Sequence, residues 1–254
     1  MKHLYLIGMG PGSPEYLTVQ AIETLKRVDV FFLLEKEGRG KDKLLAMRQA
    51  ILELYRPEGG YRLVIAPSPE RQTLPGGYQE TVRAWHENKL ALFARLIADE
   101  LQDSEQGGLL LWGDPSIYDQ TVSLIAELAG RSGGKFDFTI IPGISAVQML
   151  AARHRIPLNR VGEEILITTG RELARADPAQ IHNAVVMLDG QCAFQHLRGQ
   201  DLEIYWGGNL GCPDETLIAG PLDQVGDALI QTRDRLREAQ GWIMDTYLLR
   251  RRKL

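Results

Sequence analysis

Leu4-Tyr5-Leu6-Ile7-Gly8-Met9-Gly10-Pro11-Gly12-Ser13 is a short apolar run that ends in a glycine-rich turn. Apolar residues then recur at Leu17, Ala21, Ile22 and Leu25 within residues 15–27, a helical period, so the stretch reads as strand, turn and helix. A dinucleotide-binding fold places its phosphate loop at this point, and Glu35 ends the next apolar run where a ribose-binding acid would stand. The spacing argues against that use. The dinucleotide pattern wants a third glycine three residues after Gly10, and Ser13 stands there. Pro11 also removes a backbone N–H from a loop whose phosphate would need donors. No Walker-type lysine pattern occurs. What remains is a tight turn at the carboxyl end of a strand, either a plain connection or one wall of a ligand site.

The same unit repeats outward. Strand-like runs at 28–34, 61–65, 109–112 and 136–141 alternate with helical patterns at 41–55, 79–101 and 117–129. Residues 66–78, with Pro67, Pro69, Pro75, Gly76 and Gly77, break regular structure. Alternation of this kind predicts an α/β fold with a parallel sheet and covering helices. After about residue 143 the rhythm shortens. A helix at 145–153 precedes strands at 164–168, 184–188, 203–206 and 216–219, a helix at 222–239 and a last strand at 242–248, which predicts a mixed sheet. The reading is two α/β domains, 1–142 and 143–254.

Composition limits the function classes. The chain has 254 residues, 44% hydrophobic and 24% charged, with formal net charge −4. Such a balance excludes a disordered chain, a coiled coil and a globally basic nucleic-acid binder. No apolar run approaches the roughly 18 residues that span a bilayer, and the first eight residues are too short an apolar run for a signal peptide. The expectation is a cytoplasmic protein with no membrane and no nucleic-acid partner. Cys192 and Cys212 form no motif, and packing in a reducing compartment is their expected role. His3, His86, His154, His182 and His196 are scattered, so no metal is expected.

Two further turns follow apparent strands. In Trp112-Gly113-Asp114-Pro115-Ser116-Ile117-Tyr118, glycine permits close approach to a ligand, and Asp114 either accepts a ligand hydrogen bond or caps the turn. In Pro142-Gly143-Ile144-Ser145-Ala146, Ser145 suits a helix cap or a ligand donor. Three small-residue turns suggest a cleft lined by backbone, better suited to a flat organic ligand than to a metal.

Taken together, Gly8-Met9-Gly10-Pro11-Gly12 with Leu17-Thr18, Gly113-Asp114-Pro115 and Pro142-Gly143-Ile144-Ser145-Ala146 resemble the tetrapyrrole (corrin/porphyrin) methylase family in order and strand position. The longer segments 151–162, 167–171, 185–190 and 241–247 resemble its deacetylating, precorrin-methylating branch. The resemblance implies two α/β domains with a cleft for S-adenosyl-L-methionine between them, usually in a homodimer. It implies methylation of a precorrin at C-1 with release of acetate, precorrin-5 to precorrin-6A, in aerobic cobalamin synthesis. Family cofactor contacts carry over to Pro11, Trp112, Gly113, Asp114, Ile117 and Tyr118, the last two as a first helical turn, and to Ser145 and Ala146. Leu188-Asp189 stands where many members have Tyr-Met, which leaves the acid to accept a hydrogen bond. Leu210 and Ala219-Gly220-Pro221 align near later contacts.

A methyl sulfonium needs alignment and exclusion of water rather than an enzyme nucleophile. Losing an acetyl group adds a need for a general base and an oxyanion donor. The candidates are Asp245, His154, Tyr118 and Asp119. His154 otherwise reads as a surface or satisfied core histidine, Asp119 as a helix cap, and Asp245 as exposed by strand alternation. A polycarboxylate substrate suits guanidinium forks, and Arg153, Arg155, Arg160 and Arg171 follow the domain boundary closely, unless they form a solvated basic face. Trp85-His86 reads as an amphipathic helix face or a shield for a ring. The basic run 250–253 reads as a loose tail. The alternatives are another tetrapyrrole or RNA methylase of the same fold, and an NAD-dependent oxidoreductase.

Overall fold

The computed structural model describes residues 1–35, 42–70, 75 and 77–252. The chain divides into two compact units, Met1–Ile144 and Ser145–Leu254, where the sequence suggested a boundary at 142/143.

In the first unit β1 (Lys2–Gly8), β2 (Val30–Glu35), β3 (Arg62–Pro67), β4 (Gln106–Leu111) and β5 (Phe136–Ile141) alternate with α1 (Val19–Leu25), α2 (Asp42–Tyr55), α3 (Gly77–Arg95) and α4 (Thr121–Arg131). The strands form one sheet in the order β3-β2-β4-β1-β5, every pairing parallel. Strand alternation sends Leu4, Leu6, Val30 and Phe32 to one face, where Leu90 and Phe93 of α3 and Leu124 and Ile125 of α4 cover them. Ile7, Phe31 and Leu33 go to the other face, under Ala21 and Leu25 of α1 and Ile51 and Leu52 of α2. Both faces are buried along the inner strands β1, β2 and β4, which is why these read as unbroken apolar runs, whereas the edge strands β3 and β5 leave Leu63, Ile65 and Ile140 exposed. The chain winds outward from β1 to β3, then reverses past β4 to β5. The reversal point, between β1 and β4, is where open α/β sheets leave a crevice at the carboxyl ends of their strands.

Three helix boundaries differ from expectation. The helix expected over 15–27 is interrupted: Ser13 caps a 3-10 turn, Pro14–Tyr16, and Thr18 restarts the chain as the N-cap of α1, its Oγ1 accepting from the Ala21 N–H at 3.0 Å. The helix expected over 79–101 starts at Gly77 and ends as a π-helical turn over Leu96–Glu100. The helix expected from 117 begins at Thr121, because Tyr118 adopts φ 54°, a left-handed conformation that no helix continues through.

The second unit contains α5 (Ala146–His154), β6 (Leu166–Thr169), α6 (Gly170–Leu173), β7 (Asn183–Met187), β8 (Leu202–Gly208), β9 (Thr216–Pro221), α7 (Leu222–Gln240) and β10 (Asp245–Arg251). The strand order is β6-β7-β10-β8-β9. Only β6 and β7 are parallel, so the sheet is mixed as expected. Its main core gathers Phe194, Trp206, Tyr247, Ile204 and Leu229. The basic run is not a loose tail. Arg250 lies within β10, the central strand, and is 5% exposed; it donates Nη2 to the Pro157 and Leu158 carbonyls (2.6 and 3.0 Å) and Nε to Asn183 Oδ1 (3.2 Å). Lys253 lies outside the described residues. Both cysteines are free thiols, and Cys192 is buried in the core.

Candidate functional site

The three sequence turns of the first unit meet at the carboxyl ends of β1, β4 and β5. Gly10 and Gly113 exchange backbone hydrogen bonds, N to O at 3.2 Å and 2.9 Å in the two directions. A Cβ on Gly8 would lie 2.6 Å from Gly143 N, and one on Gly143 would lie 2.2 Å from Gly113 O. No side chain fits at either position without moving backbone. Pro11 and Gly113 are buried, and Trp112 is half-buried against the core beneath α1 and α2.

Asp114 joins the turns. Its Oδ1 accepts from the Ser116 N–H at 2.8 Å and from the Ser116 hydroxyl, and its Oδ2 accepts from the Gly143 N–H at 2.9 Å. Burial pulls this carboxyl upward, yet those hydrogen bonds outweigh it and hold it below the ordinary aspartate value. Its carboxylate therefore acts inside the turns. Ile117 and Tyr118 precede α4 instead of forming its first turn. Tyr118 is 45% exposed, and burial of the rest of the ring raises its hydroxyl pKa. Asp119 Oδ1 accepts from the Thr121 N–H at 2.7 Å, at the start of α4.

In the second unit Ser145 forms a capping box with Gln148 at the start of α5: the Val147 N–H donates to Ser145 Oγ at 3.2 Å, and the Ser145 N–H donates to Gln148 Oε1 at 2.9 Å. Ala146 follows as the first helical residue. Leu188 follows β7 at φ 53° and is 67% exposed. Asp189 points the other way. Its Oδ2 accepts from Tyr247 Oη at 2.6 Å and the Ala193 N–H at 2.7 Å, and its Oδ1 from the Gln191 N–H at 3.0 Å. The acid thus holds a turn and a core tyrosine, and burial with this contact raises the Tyr247 pKa well above its ordinary value.

Asp245 is neither exposed by alternation nor open to solvent. Its side chain is 9% exposed, and Oδ2 accepts from Arg233 Nε (2.8 Å) and Trp206 Nε1 (3.0 Å). Burial pushes this carboxyl above the ordinary range, against the pull of Arg233 and the indole. Arg233 also donates Nη2 to the Asp189 carbonyl at 2.6 Å. Arg233, Trp206 and Tyr247 are the partners that the sequence reading missed; their only sequence signal is that an acid within an apolar strand needs a donor. His154 Nε2 lies 3.0 Å from the Trp206 carbonyl. A carbonyl only accepts, so Nε2 carries the proton and Nδ1 the lone pair. Burial pushes this imidazole below its ordinary value, more than the Trp206 bond and the Glu215 charge pull it back.

The later residues do not gather at one place. Leu188, Leu210 and Asp245 lie at one end of the mixed sheet, where Thr246 pairs with Met187 and Gly207. Leu210 is buried, with its side chain filling the space over Gly207. Antiparallel β9 carries Ala219, Gly220 and Pro221 away from that end, to positions opposite Tyr205, Ile204 and Glu203. The arginines are similarly divided. Arg153 is ion-paired to Glu215 (3.0 Å), and Arg155 is exposed at the end of α5. Arg160 donates to the Arg251 carbonyl (3.4 Å) at one end of the sheet, whereas Arg171 lies in α6 beyond Thr169 at the other. Trp85 is no free shield, since its indole donates to the Pro69 carbonyl at 2.9 Å.

The residues suit a neutral organic ligand better than a phosphate: the first turn lacks the Pro11 donor and uses Gly10 N–H on Gly113. The β4–α4 segment presents a partly exposed tyrosine ring, and the β7 end presents an exposed leucine. The tyrosine ring of the first unit by itself suits contact with an adenosine or thioether group. Among the described residues no three His, Cys, Asp or Glu side chains are grouped to hold a metal.

A parallel sheet with this strand order, three interlocked glycine turns and a mixed second sheet define a class, and the family model of the tetrapyrrole (corrin/porphyrin) methylases matches residues 3–226. The chain belongs to that family, which replaces the dinucleotide reading of the first turn. Among curated relatives it is 41% identical over 251 residues to "Precorrin-6A synthase [deacetylating]" from Sinorhizobium sp, covering 99% of this chain and 96% of that one. Among solved structures it superposes with TM-score 0.84 on a putative cobalamin synthesis related protein (CobF) from Corynebacterium diphtheriae, at 38% identity over 98% of each chain. Uroporphyrin-III C-methyl transferase from Thermus thermophilus, solved with S-adenyl homocysteine, shares the fold at TM-score 0.61 and 17% identity, over 98% of this chain and 97% of that one.

Proposed function

We propose that the protein is an S-adenosyl-L-methionine-dependent C-methyltransferase of cobalamin synthesis that methylates a precorrin at C-1 and releases acetate, converting precorrin-5 to precorrin-6A. The observation that carries this reading is the 41% identity to a deacetylating precorrin-6A synthase across 99% of the chain. The reading extends to a homodimer working in the cytoplasm; among the described residues no helix is long and apolar enough to cross a membrane.

When bound, S-adenosyl-L-methionine supplies an activated methyl group. The chain's own contribution is to position and to exclude water. The turn backbone around Gly10, Pro11 and Gly113, the ring of Tyr118, and Leu188 are the proposed cofactor surfaces, with Trp112, Ile117, Ser145 and Ala146 supporting them. Asp114 and Asp189 serve from behind by fixing their turns. For acetyl loss, Asp119 is the proposed base that takes a proton from water, and Tyr118 Oη is the proposed donor to the acetyl oxygen. Arg155 and Arg171, both exposed, are proposed to meet substrate carboxylates, with Arg153 reaching them from its ion pair.

Incubation with cofactor and precorrin-5, followed by mass spectrometry, tests the reading. One methyl gained with one acetyl lost is expected. Methyl gain with the acetyl retained overturns the deacetylating assignment, and no methyl gain overturns the reading as a whole. Thermal shift adds a binding test: S-adenosylhomocysteine should raise Tm, and NAD or RNA should not.

A further inference from the structure

Leu188 stands in a costly position. It follows β7 in a left-handed conformation, φ 53°, which disfavours a residue bearing a Cβ. Its side chain is largely exposed, so little core packing compensates the strain. Cys192, later in the same turn, is left-handed as well, at φ 56°. Strain of this kind persists only where the surroundings over-determine the backbone, and it collects at ligand contacts.

The surroundings act on the next residue, Asp189. Its carboxylate accepts the Gln191 and Ala193 N–H groups within the turn and Tyr247 Oη from β10. Its carbonyl accepts Arg233 Nη2 from α7 at 2.6 Å. On the β6 side the backbone backs directly against it: a Cβ on Gly170 would lie 2.6 Å from Asp189 Cβ. The two anchors are fixed in their turn. Tyr247 is buried, and its ring meets Phe194 edge-on with 5.4 Å between centroids. Arg233, also buried, donates Nε to Asp245 Oδ2, and Trp206 Nε1 donates to the same oxygen.

We propose that Tyr247 and Arg233 are positioning residues of the cofactor site: by locking Asp189 they hold the exposed Leu188 side chain as a preformed apolar contact for the cofactor. The inference rests on the proposed function, in which Leu188 is a cofactor surface. A buried acid–cation network stabilises a fold no better than apolar packing of the same volume, so what it adds here is a fixed geometry. Each group has a separate part. Tyr247 fixes the Asp189 side chain. Arg233 fixes the Asp189 carbonyl, and with it the peptide plane that follows. Asp245 and Trp206 keep Arg233 in place. Leu188 then needs no ordering when the ligand arrives, and preorganisation of that kind raises affinity. Tyr247 and Arg233 act through Leu188 rather than by touching the ligand.

Calorimetric titration of the full chain with S-adenosylhomocysteine tests this without turnover. Tyr247→Phe keeps the ring and removes the Oη donor. It should weaken binding about tenfold, the equivalent of one hydrogen bond to a charged group. Arg233→Lys keeps a cation beside Asp245 but lacks the fork that also reaches the Asp189 carbonyl, and it should weaken binding as well. It provides the test if Tyr247→Phe fails to fold. Leu249→Ala alters the same strand and the same core farther from the turn; it should lower Tm and leave the affinity unchanged. In a Leu188→Ala background Tyr247→Phe should cost little more, because two residues that act through one contact are not additive. A merely structural tyrosine would cost the same in both backgrounds. Hydrogen exchange over residues 188–193 should quicken in Tyr247→Phe. Unchanged exchange there, unchanged affinity in the folded variants, an equal loss in Leu249→Ala, or full additivity with Leu188→Ala overturns the proposal. Wild-type protein that binds no S-adenosylhomocysteine overturns the proposed function and takes the inference with it. Wild-type binding that the variants leave unaltered overturns the inference alone.

Discussion

At the scale of single residues, the β1, β4 and β5 turns tolerate no added atom. Gly143→Ala places a methyl 2.2 Å from the Gly113 carbonyl. It should cost about 1–3 kcal/mol, the usual range for overpacking, and lower Tm by roughly 2–4 °C per kcal/mol for a chain of this size; a melt indistinguishable from wild type would refute the crowding argument. The buried ion pair predicts a larger effect. Arg233→Met leaves Asp245 buried without its cation and should cost about 3–5 kcal/mol in urea denaturation. Arg233→Met with Asp245→Leu should recover much of that loss. The contrast between these sites explains what was readable in the sequence. Glycines at strand ends announce their role through local spacing, so Gly8, Gly113 and Gly143 were legible. Asp189 and Asp245 were not. Tyr247 lies 58 positions from Asp189 and Trp206 39 positions from Asp245, and no local pattern encodes such pairings. Asp245 read as a catalytic candidate because its partner Arg233 sits on the far side of a helix–strand connection.

At the scale of elements, capping decided where sequence periodicity failed. Residues 15–27 carry a helical apolar period, but Thr18 at φ −69°, ψ 152° takes the extended conformation of an N-cap, so only α1 forms. The period reports which face is buried, whereas the cap reports where the helix begins. Ser145 was legible as a cap from its place after the Pro142-Gly143 turn, and the structure adds its box partner Gln148 three residues on. Ser145→Ala should destabilise the chain by about 0.5–2 kcal/mol, measurable as a lower urea midpoint with an unchanged slope. The inner strands of the first sheet were readable nearly in full, since strands covered on both faces write themselves as continuous apolar runs. The second sheet left its strand order hidden: the insertion of β10 between β7 and β8 depends on long-range pairing alone.

At the scale of the whole molecule, pH links these sites. His154 has a folded pKa below its unfolded value of about 6.5. Its stabilising contribution is therefore present above about pH 6.5 and lost as pH falls through the folded pKa. Asp114, also depressed, adds a second loss below about pH 4. Asp245, raised by burial, works in the opposite sense and gains as pH falls toward about 4. Urea midpoints should thus decline between pH 7 and pH 5, and His154→Gln should flatten that decline; an equally steep profile in the variant would place the effect elsewhere.

Both sheets share one further property. β4 inserts between β1 and β2, and β10 between β7 and β8, so each sheet is joined through a strand made after the strands on either side of it. During synthesis the earlier strands must wait, with two unpaired edges facing each other, until the joining strand leaves the ribosome. Exposed edges of that kind invite pairing with other nascent chains. The order of the strands thus sets a window of vulnerability for each unit, longer for β7 awaiting β10 than for β8. Yield in cells would then respond to translation speed and chaperone supply more than the stability of the finished fold suggests.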